Sequence, residues 1–292
     1  MTPKHAPTVT GTRPFLKWAG GKFRLMPKIS HYFAQQTNPI LVEPFVGAGA
    51  VFLNAPYSKF LLNDLNKDVI NLYTILKKNG PDFILEAKKL FEPHHNQKKV
   101  YLDYRQKFNQ STCAFERSLL FLYLNRHGYN GLCRYNQALQ FNVPFGSYLN
   151  PYFPAKELHF FAKKAQKAHF AHLDFKPFFK QLISKLASGR LPNNLMIYCD
   201  PPYVPLNKTA RFTQYAGEIF DETKQIELAC FAEQLAKLGA TVMISNHDTE
   251  FTQVLYKKAE IVSFEVSRHI SCNPHNRTPV KELLAIFKEH KK

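Results

Sequence analysis

Two consecutive prolines at the end of an apolar run constrain this chain more than any other feature. Leu195-Met196-Ile197-Tyr198-Cys199 reads as a buried strand, and Asp200-Pro201-Pro202-Tyr203 follows it directly. Proline has no N–H to donate and fixes its own φ, so a β-ladder must stop here and give way to a stiff loop. The loop sets a carboxylate, a proline carbonyl and an aromatic ring at the carboxyl end of a strand, where open α/β sheets bind ligands. That trio suits an exocyclic aromatic amine, whose nitrogen lone pair is delocalised into its ring. Two acceptors on the two amine hydrogens favour a pyramidal nitrogen with a localised pair, while a tyrosine can stack on the ring. An ordinary strand-ending turn uses the same residue types.

A second loop lies far upstream. The apolar stretch from Ile40 to Val42 runs through Glu43-Pro44-Phe45-Val46-Gly47-Ala48-Gly49 into the helix-like Ala50-Val51-Phe52-Leu53. Glycines there let the backbone approach a nucleotide-like ligand, although a plain helix-start turn also carries them. A second strand, Lys59-Phe60-Leu61-Leu62, then ends in Asn63-Asp64. An acid at that place is the usual acceptor for the two hydroxyls of a ribose. Phe52 occupies the third glycine position of a dinucleotide fingerprint, which argues against a dehydrogenase. Nearer the amino terminus, Lys17-Trp18-Ala19-Gly20-Gly21-Lys22 places a glycine pair and the only tryptophan between two lysines. Trp18 fits either a ligand site or a core; the glycine turn beside Lys22 favours a polar ligand.

The 292 residues suit one large domain or two unequal ones, with 39 Lys and Arg against 22 Asp and Glu, a formal charge of +17. The excess is +5, +6 and +6 over residues 1–65, 66–160 and 161–292, so it belongs to the folded body and not to a tail. Such a surface suits a polyanion, because lysines and arginines displace counterions from phosphates. The five cysteines (Cys113, Cys133, Cys199, Cys230, Cys272) form no C-x-x-C pair, so neither zinc nor a disulfide framework is expected. His169 with His172, and Cys272 with His275, each lack a second ligand pair. The longest apolar run, Leu119 to Leu124, is too short for a membrane span, and no signal peptide is expected at the amino terminus. A reducing, cytoplasmic setting follows as the expectation.

Residues 1–12 read as disordered. Asp68 to Leu76 has helical spacing, and Asn79-Gly80-Pro81 is expected to end that helix. Further helical stretches fall around 82–91, 98–109 and 113–125, before an aromatic, Asn- and Gly-rich segment from Tyr129 to Phe153. Asp221-Glu222-Thr223 opens a helix that runs to Leu238 and stops at Gly239. Thr241 to Ser245, Ile261 to Val266 and Leu283 to Phe287 read as strands, the last two around a polar loop. The expected fold is α/β: a mainly parallel twisted sheet with helices on both faces, interrupted by an inserted module. The expected division is 13–65 with 161–292 as a catalytic domain, and 66–160 as an inserted, mostly helical module.

From about Arg13 to about Lys288 the chain resembles the DNA adenine methyltransferases, which act on the exocyclic amine of adenine. The resemblance rests on Phe15 to Lys22, Leu41 to Asn54, Leu119 to Asn136, Phe141 to Gly146, Ile197 to Tyr203 and Ile244 to Asp248. The glycine and Asp-Pro-Pro-Tyr loops alone indicate only an amino-methyltransferase. The run from Leu122 to Asn136 is narrower and is similar to the GATC-reading Dam branch of the family.

The resemblance implies a Rossmann-like methyltransferase core with a target-recognition domain carrying a β-hairpin. It further implies S-adenosylmethionine as methyl donor, no metal, and double-stranded DNA containing GATC as partner, for a monomer at the bacterial nucleoid. Trp18, Lys22, Asp64 and Asp200 match cofactor-contacting positions, and the loop carrying Glu43, Phe45, Gly47 and Gly49 matches the cofactor floor. Asp200, Pro201, Pro202 and Tyr203 match the catalytic loop that receives a flipped adenine. Tyr129 is expected to wedge into the stack and Asn130 to meet the orphaned thymine. Leu132 can touch a thymine methyl, and Arg134 can grip guanine O6 and N7. Lys17 matches a lysine that reads the outer guanine, while Arg126 and Asn136 suit phosphates, although Arg126 also reads as one surface charge among many. Pro144 and Tyr148 complete the matched DNA-contacting positions. Ser147 departs from the pattern, since the family commonly has a basic residue there; the loss of one phosphate contact weakens binding in general and leaves the recognised sequence unchanged.

Two other classes bear on the same residues. An amino-methyltransferase acting on RNA or a protein amide often has asparagine in place of Asp200 and lacks the Leu119 to Asn136 run. A DNA-binding module without catalysis does not need the intact Asp200 to Tyr203 loop.

Overall fold

The computed structural model describes residues 11–34, 40–206, 214–215, 218–266 and 280–289. In chain order the first elements are α1 (Met26–Ala34), β1 (Ile40–Glu43), α2 (Ala50–Asn54), β2 (Lys59–Asn63) and α3 (Lys67–Lys89). Next come α4 (Lys98–Gln110), α5 (Ala114–His127), α6 (Ala155–Ala165), β3 (Ala168–Ala171), α7 (Phe175–Ala187) and β4 (Met196–Cys199). A short antiparallel pair follows, β5 (Gln214–Tyr215) and β6 (Glu218–Ile219), then α8 (Glu222–Lys237) and β7 (Thr241–His247). The last described elements are α9 (Glu250–Leu255), β8 (Glu260–Val266) and β9 (Val280–Phe287). The main sheet has seven strands in the order β3-β2-β1-β4-β7-β9-β8. The pairs β2/β3, β1/β4 and β4/β7 are parallel, and β9 is antiparallel to both β7 and β8. This is the mainly parallel α/β sheet expected from the sequence.

The chain forms two compact units, residues 38–45 with 173–292 and residues 1–37 with 46–172. In the first, β1 and β4 are buried at every position. Buried parallel strands are largely apolar, which is why Ile40 to Val42 and Met196 to Cys199 read as hydrophobic runs, with Glu43 the charged residue at the end of β1. Asp174 caps α7 by accepting from Lys176 N–H, Asp221 caps α8 by accepting from Lys224 N–H, and Thr249 closes a capping box with Thr252 at α9. Each cap contributes about 1 kcal/mol. The helix expected from Asp221 to Leu238 is α8, and the three late strands are β7, β8 and β9. The polar loop expected between the last two lies outside the described residues.

In the second unit, Tyr73 of α3 packs its ring against Phe161 of α6 at 4.5 Å, and Phe161 also meets Phe15 and Phe52 edge-on. Asn66 caps α3 by accepting from the N–H groups of Asp68 and Val69. The expected stop at Asn79-Gly80-Pro81 is only a kink: Asn79 leaves helical geometry (φ −132°, ψ 36°) and the helix resumes at once. Proline is tolerated in the first turn of a new helical segment, and Gly80 lies where a Cβ would come within 2.9 Å of Ala162 in α6. The stretch around 82–91 is thus the second half of α3, while 98–109 and 113–125 are α4 and α5. The hairpin expected in this module takes the form of two isolated antiparallel bridges, Gly128 with Phe145 and Tyr135 with Phe141, the second flanked by the hydrogen bonds Asn142 N–H to Arg134 O and Asn136 N–H to Gln140 O. At the amino-terminal edge of the described residues, Thr12 exchanges hydrogen bonds with the Asn54 side chain.

Candidate active site and nucleic-acid interface

In the unit containing β1 and β4 these strands are parallel neighbours, with Val42 opposite Ile197. Strand order turns back between them: β2 and β3 lie on the far side of β1, while β7 lies on the far side of β4. The carboxyl ends at such a reversal are where doubly wound sheets bind ligands. Glu43-Pro44-Phe45 leaves β1 there, and Asp200-Pro201-Pro202-Tyr203 leaves β4 beside it. Glu43 is buried. Phe45 packs against Phe175 and Phe220 at 5.7 and 5.8 Å. Burial, then the Asp200 and Glu43 carboxylates, hold the Cys199 thiol well above its usual range. Cys199 is fully buried in β4, the environment of a structural strand cysteine.

Neighbouring elements anchor the catalytic-loop candidates along their length. The Pro202 carbonyl accepts from Gln225 Nε2 at 2.8 Å. Val204 N–H donates to Asn246 Oδ1 at 3.1 Å, and His247 Nδ1 donates to the Val204 carbonyl at 2.7 Å. The Tyr203 hydroxyl donates to Glu282 at 3.1 Å, and its ring stands edge-on to His247 at 4.9 Å. Burial first, then the negative charges of Asp200 and Glu282, push the Tyr203 phenol well above its ordinary pKa. It stays a neutral aromatic surface at any physiological pH. Behind the loop, Asn246 Nδ2 donates to Gln225 Oε1 and to the Tyr256 hydroxyl, and both amide side chains are fully buried. A satisfied buried network of this kind holds a loop in one shape. Gln225, Asn246, His247 and Glu282 are absent from the residues the sequence singles out individually. The available signal was Ser245-Asn246-His247, three polar residues at the end of an otherwise apolar strand.

In the other unit the glycine loop, Trp18 and Asp64 come together. Gly47 has φ +47°, and a Cβ on it would lie 3.0 Å from the Trp18 indole nitrogen, so both conformation and contact require glycine. Its N–H donates to Asp64 Oδ2 at 2.8 Å, and its carbonyl accepts from the Tyr73 hydroxyl at 2.5 Å. Gly49, at φ +74°, starts α2. Asp64 is buried, and its Oδ1 accepts from Asn66 N–H at 2.8 Å. Lys22 is also buried, with Nζ donating to the Gly20 carbonyl at 2.7 Å. Tyr73 was missed: it reads as one more apolar residue on the helix face.

The DNA-reading candidates cluster in this same unit. Tyr129, Asn130 and Gly131 form a tight turn after α5, with φ +52° at Asn130 and +62° at Gly131. Tyr129 is 45 % exposed, and its N–H donates to the Pro144 carbonyl. Asn130 N–H donates to the Tyr148 hydroxyl at 2.8 Å, and Lys17 Nζ lies 3.9 Å from the Tyr148 ring centre. Lys17 Nζ also donates to the Arg126 carbonyl at 3.2 Å. Burial, then the nearby Arg126 charge, lowers the Lys17 pKa to about 8. Arg126 Nε donates to the Tyr152 carbonyl at 3.1 Å. Lys17, Arg126, Tyr129, Asn130, Pro144 and Tyr148 thus form one cluster. Leu132 leads from it into the bridged turn that carries Arg134 and Asn136. Asn142 holds the Arg134 guanidinium through Oδ1 at 2.9 Å, and Asn136 closes the turn onto Gln140. Ser147 adopts φ +52°, unusual for a residue with a side chain. Another residue missed by sequence is Asn125, fully buried in α5. It accepts from Lys17 N–H and donates to the Lys17 and Gly131 carbonyls at 2.8, 2.8 and 3.2 Å.

His169 and His172 do not form a metal pair with other ligands. Among the described residues there is no group of three or more His, Cys, Asp or Glu placed to hold a metal ion, and no helix long and apolar enough to cross a membrane.

A mainly parallel sheet with a glycine loop after one central strand and Asp-Pro-Pro-Tyr after the next defines the amino-methyltransferase class. The family described as "D12 class N6 adenine-specific DNA methyltransferase" matches residues 18–270. A DNA adenine methylase of Vibrio cholerae serotype O1 is 50% identical over 279 residues, covering 95% of this chain and 97% of that protein. Those of Haemophilus influenzae and Escherichia coli K12 are 48% and 46% identical over 277 and 276 residues, each covering 94% of this chain and 93% and 95% of the relative. The chain belongs to the D12 class of N6 adenine-specific DNA methyltransferases.

Proposed function

We infer that this methyltransferase moves the methyl group of S-adenosylmethionine to N6 of an adenine flipped out of double-stranded 5′-GATC-3′. The observation that carries this reading is the Asp200 to Tyr203 loop, held by Gln225, Asn246, His247 and Glu282 at the carboxyl end of β4. The methyl donor, when bound, supplies an electrophilic sulfonium methyl. Asp64, oriented by the N–H groups of Gly47 and Asn66, takes the ribose hydroxyls. Trp18, Lys22, Gly47 and Gly49, in the same unit as Asp64, are further donor contacts; the matched positions Glu43, Phe45 and Asp200 belong to the other unit. Gly47 fits that role because its loop has no room for a side chain against Trp18.

Asp200 and the Pro201 carbonyl accept the two amine hydrogens, and Pro202 and the neutral Tyr203 ring hold the base. The amine proton released on transfer leaves along the Asp200 hydrogen bond. Most of the acceleration comes from alignment of nitrogen, carbon and sulfur, for which effective molarities reach about 10⁵–10⁸ M. Tyr129 fills the gap in the stack and Asn130 meets the orphaned thymine. Leu132, Arg134 and Lys17 read base edges, and Arg126, Asn136, Pro144 and Tyr148 set the backbone path. Residues 66–160 serve as the target-recognition domain, with 13–65 and 161–292 as the catalytic one. The protein works as a monomer in the bacterial cytoplasm at the nucleoid, where GATC marks serve replication control and the choice of strand in mismatch repair.

Plasmid treated with enzyme and S-adenosylmethionine, then cut with GATC endonucleases of opposite tolerance for methyladenine, tests the reading. Protection from the enzyme blocked by the mark, together with cutting by the enzyme that requires it, is expected. Cutting by the blocked enzyme at full rate would contradict the specificity.

A further inference from the structure

The segment Leu132-Cys133-Arg134-Tyr135-Asn136 divides into two sets. Leu132, Arg134 and Asn136 are the proposed DNA contacts, and Arg134 is exposed. The intervening Cys133 and Tyr135 are tied down. The Tyr135 hydroxyl donates to Asp68 Oδ2 at 2.6 Å, and the same carboxylate takes two hydrogen bonds from Arg117 at 2.6 and 3.2 Å. Asn66 Nδ2 donates to Cys133 Sγ at 3.4 Å. Asn66 and Asp68 form the start of α3, two and four residues after Asp64, and Asn66 N–H is itself a ligand of the Asp64 carboxylate. The chain of contacts from Gly47 through Asp64, Asn66 and Cys133 to Arg134 is therefore continuous, and it lies within one compact unit.

We propose that Asn66, Cys133 and Tyr135 are positioning residues that couple the methyl-donor acid Asp64 to the DNA-reading segment, so that filling one site favours the other. This rests on the donor and reader assignments made under Proposed function. A ligand on Asp64 fixes the carboxylate, the carboxylate fixes Asn66, and Asn66 with Asp68 fixes the inward side of the segment that carries Arg134 on its outward side. Neither Asn66 nor Tyr135 is placed in contact with either ligand. Their replacement therefore acts on the coupling and spares each separate affinity, a pattern that a merely structural role does not produce. Coupling is reciprocal, so it can be read from either ligand.

The experiment measures the dissociation constant of S-adenosylhomocysteine with and without a saturating GATC duplex, in the full chain and in variants. The parent is expected to bind it at least about fivefold tighter with DNA present, the lower end of ordinary coupling. Tyr135→Phe, which keeps the ring, and Asn66→Ser, which keeps a cap for α3, should bring that ratio below about twofold. Each ligand alone should bind within about threefold of parent, small beside the usual range of coupling. Cys133→Ser, which retains an acceptor for Asn66, should preserve the ratio, and Cys133→Val should lose it. A parent ratio of one, or parental ratios in Tyr135→Phe and Asn66→Ser, overturns the proposal. Asp64→Ala separates this from the reading beneath it. If that variant binds S-adenosylhomocysteine as tightly as parent, the donor assignment itself has failed; if it binds weakly while Tyr135→Phe keeps its ratio, only the coupling has.

Discussion

Replacing Asn246 by alanine should loosen the Asp200 to Tyr203 loop and destabilise the fold at once. The side chain is fully buried and makes four hydrogen bonds. Oδ1 accepts from the N–H groups of Val204 and His247, and Nδ2 donates to Gln225 and Tyr256. Truncation leaves four buried polar groups short of a partner, at about 1–3 kcal/mol for each that stays unpaired. The Tyr256 hydroxyl already donates to Gln225 Oε1 at 3.5 Å, so these two keep each other as partners, whereas the two backbone N–H groups cannot move independently. The expected loss is therefore about 2–4 kcal/mol, within the range of a broken buried network. It should appear as an earlier urea midpoint with an unchanged slope. Val204 directly follows Tyr203, so freeing its N–H also frees the base-holding end of the loop. A misplacement of about 1 Å can cost on the order of 100-fold in rate, and a fall of about 10- to 100-fold is expected. Single-turnover methylation with both substrates saturating isolates the step. A variant that loses the stability but methylates at the parent rate would show that the two prolines alone hold the loop, and the positioning role of Asn246 would be wrong.

Asp200→Ala should bind DNA and unfold normally yet methylate at under about a tenth of the parent rate, a loss above 1.4 kcal/mol; a faster single-turnover rate would remove Asp200 from the chemistry. Arg134→Ala should raise activity on sites with an altered outer base relative to GATC, by about 1–3 kcal/mol of lost discrimination. Arg126→Ala should lower binding on all sequences alike, and methylation rates on a panel of near-cognate duplexes separate the two patterns. Lys17 should impose a pH dependence on DNA binding. It titrates near 8 in the free protein, and the protonated form is the one that donates to DNA. Affinity should then be fully developed below about pH 7 and fall as pH rises through 8, by at most about tenfold per unit. Equal slopes for parent and Lys17→Met between pH 7 and 9 would refute this.

What was legible in the sequence is what depends on neighbours along the chain. The Asp-Pro-Pro-Tyr stop, the glycine loop and the acid at the end of β2 are set by local backbone chemistry, and the buried parallel strands announce themselves as apolar runs. The kink at Asn79 was not legible, because its continuation depends on the close approach of Gly80 to Ala162, far along the chain in α6. The helices α6 and α7 and strand β3 likewise have no counterpart in the sequence reading. The residues that hold the loop come from α8, β7 and β9, and Asn125 meets Lys17 across 108 positions. A single buried polar residue looks the same in sequence whether it satisfies a core or positions a site. Only its partners tell the two apart.

The most direct test is the identity of the modified base. A duplex with one GATC site is incubated with the purified enzyme and S-adenosylmethionine, then digested to nucleosides and analysed by chromatography. N6-methyladenine from both strands of the site is expected, with a much slower yield from duplexes with a changed outer base. Methylcytosine as the product, or N6-methyladenine formed equally fast at any adenine, would contradict the proposed function.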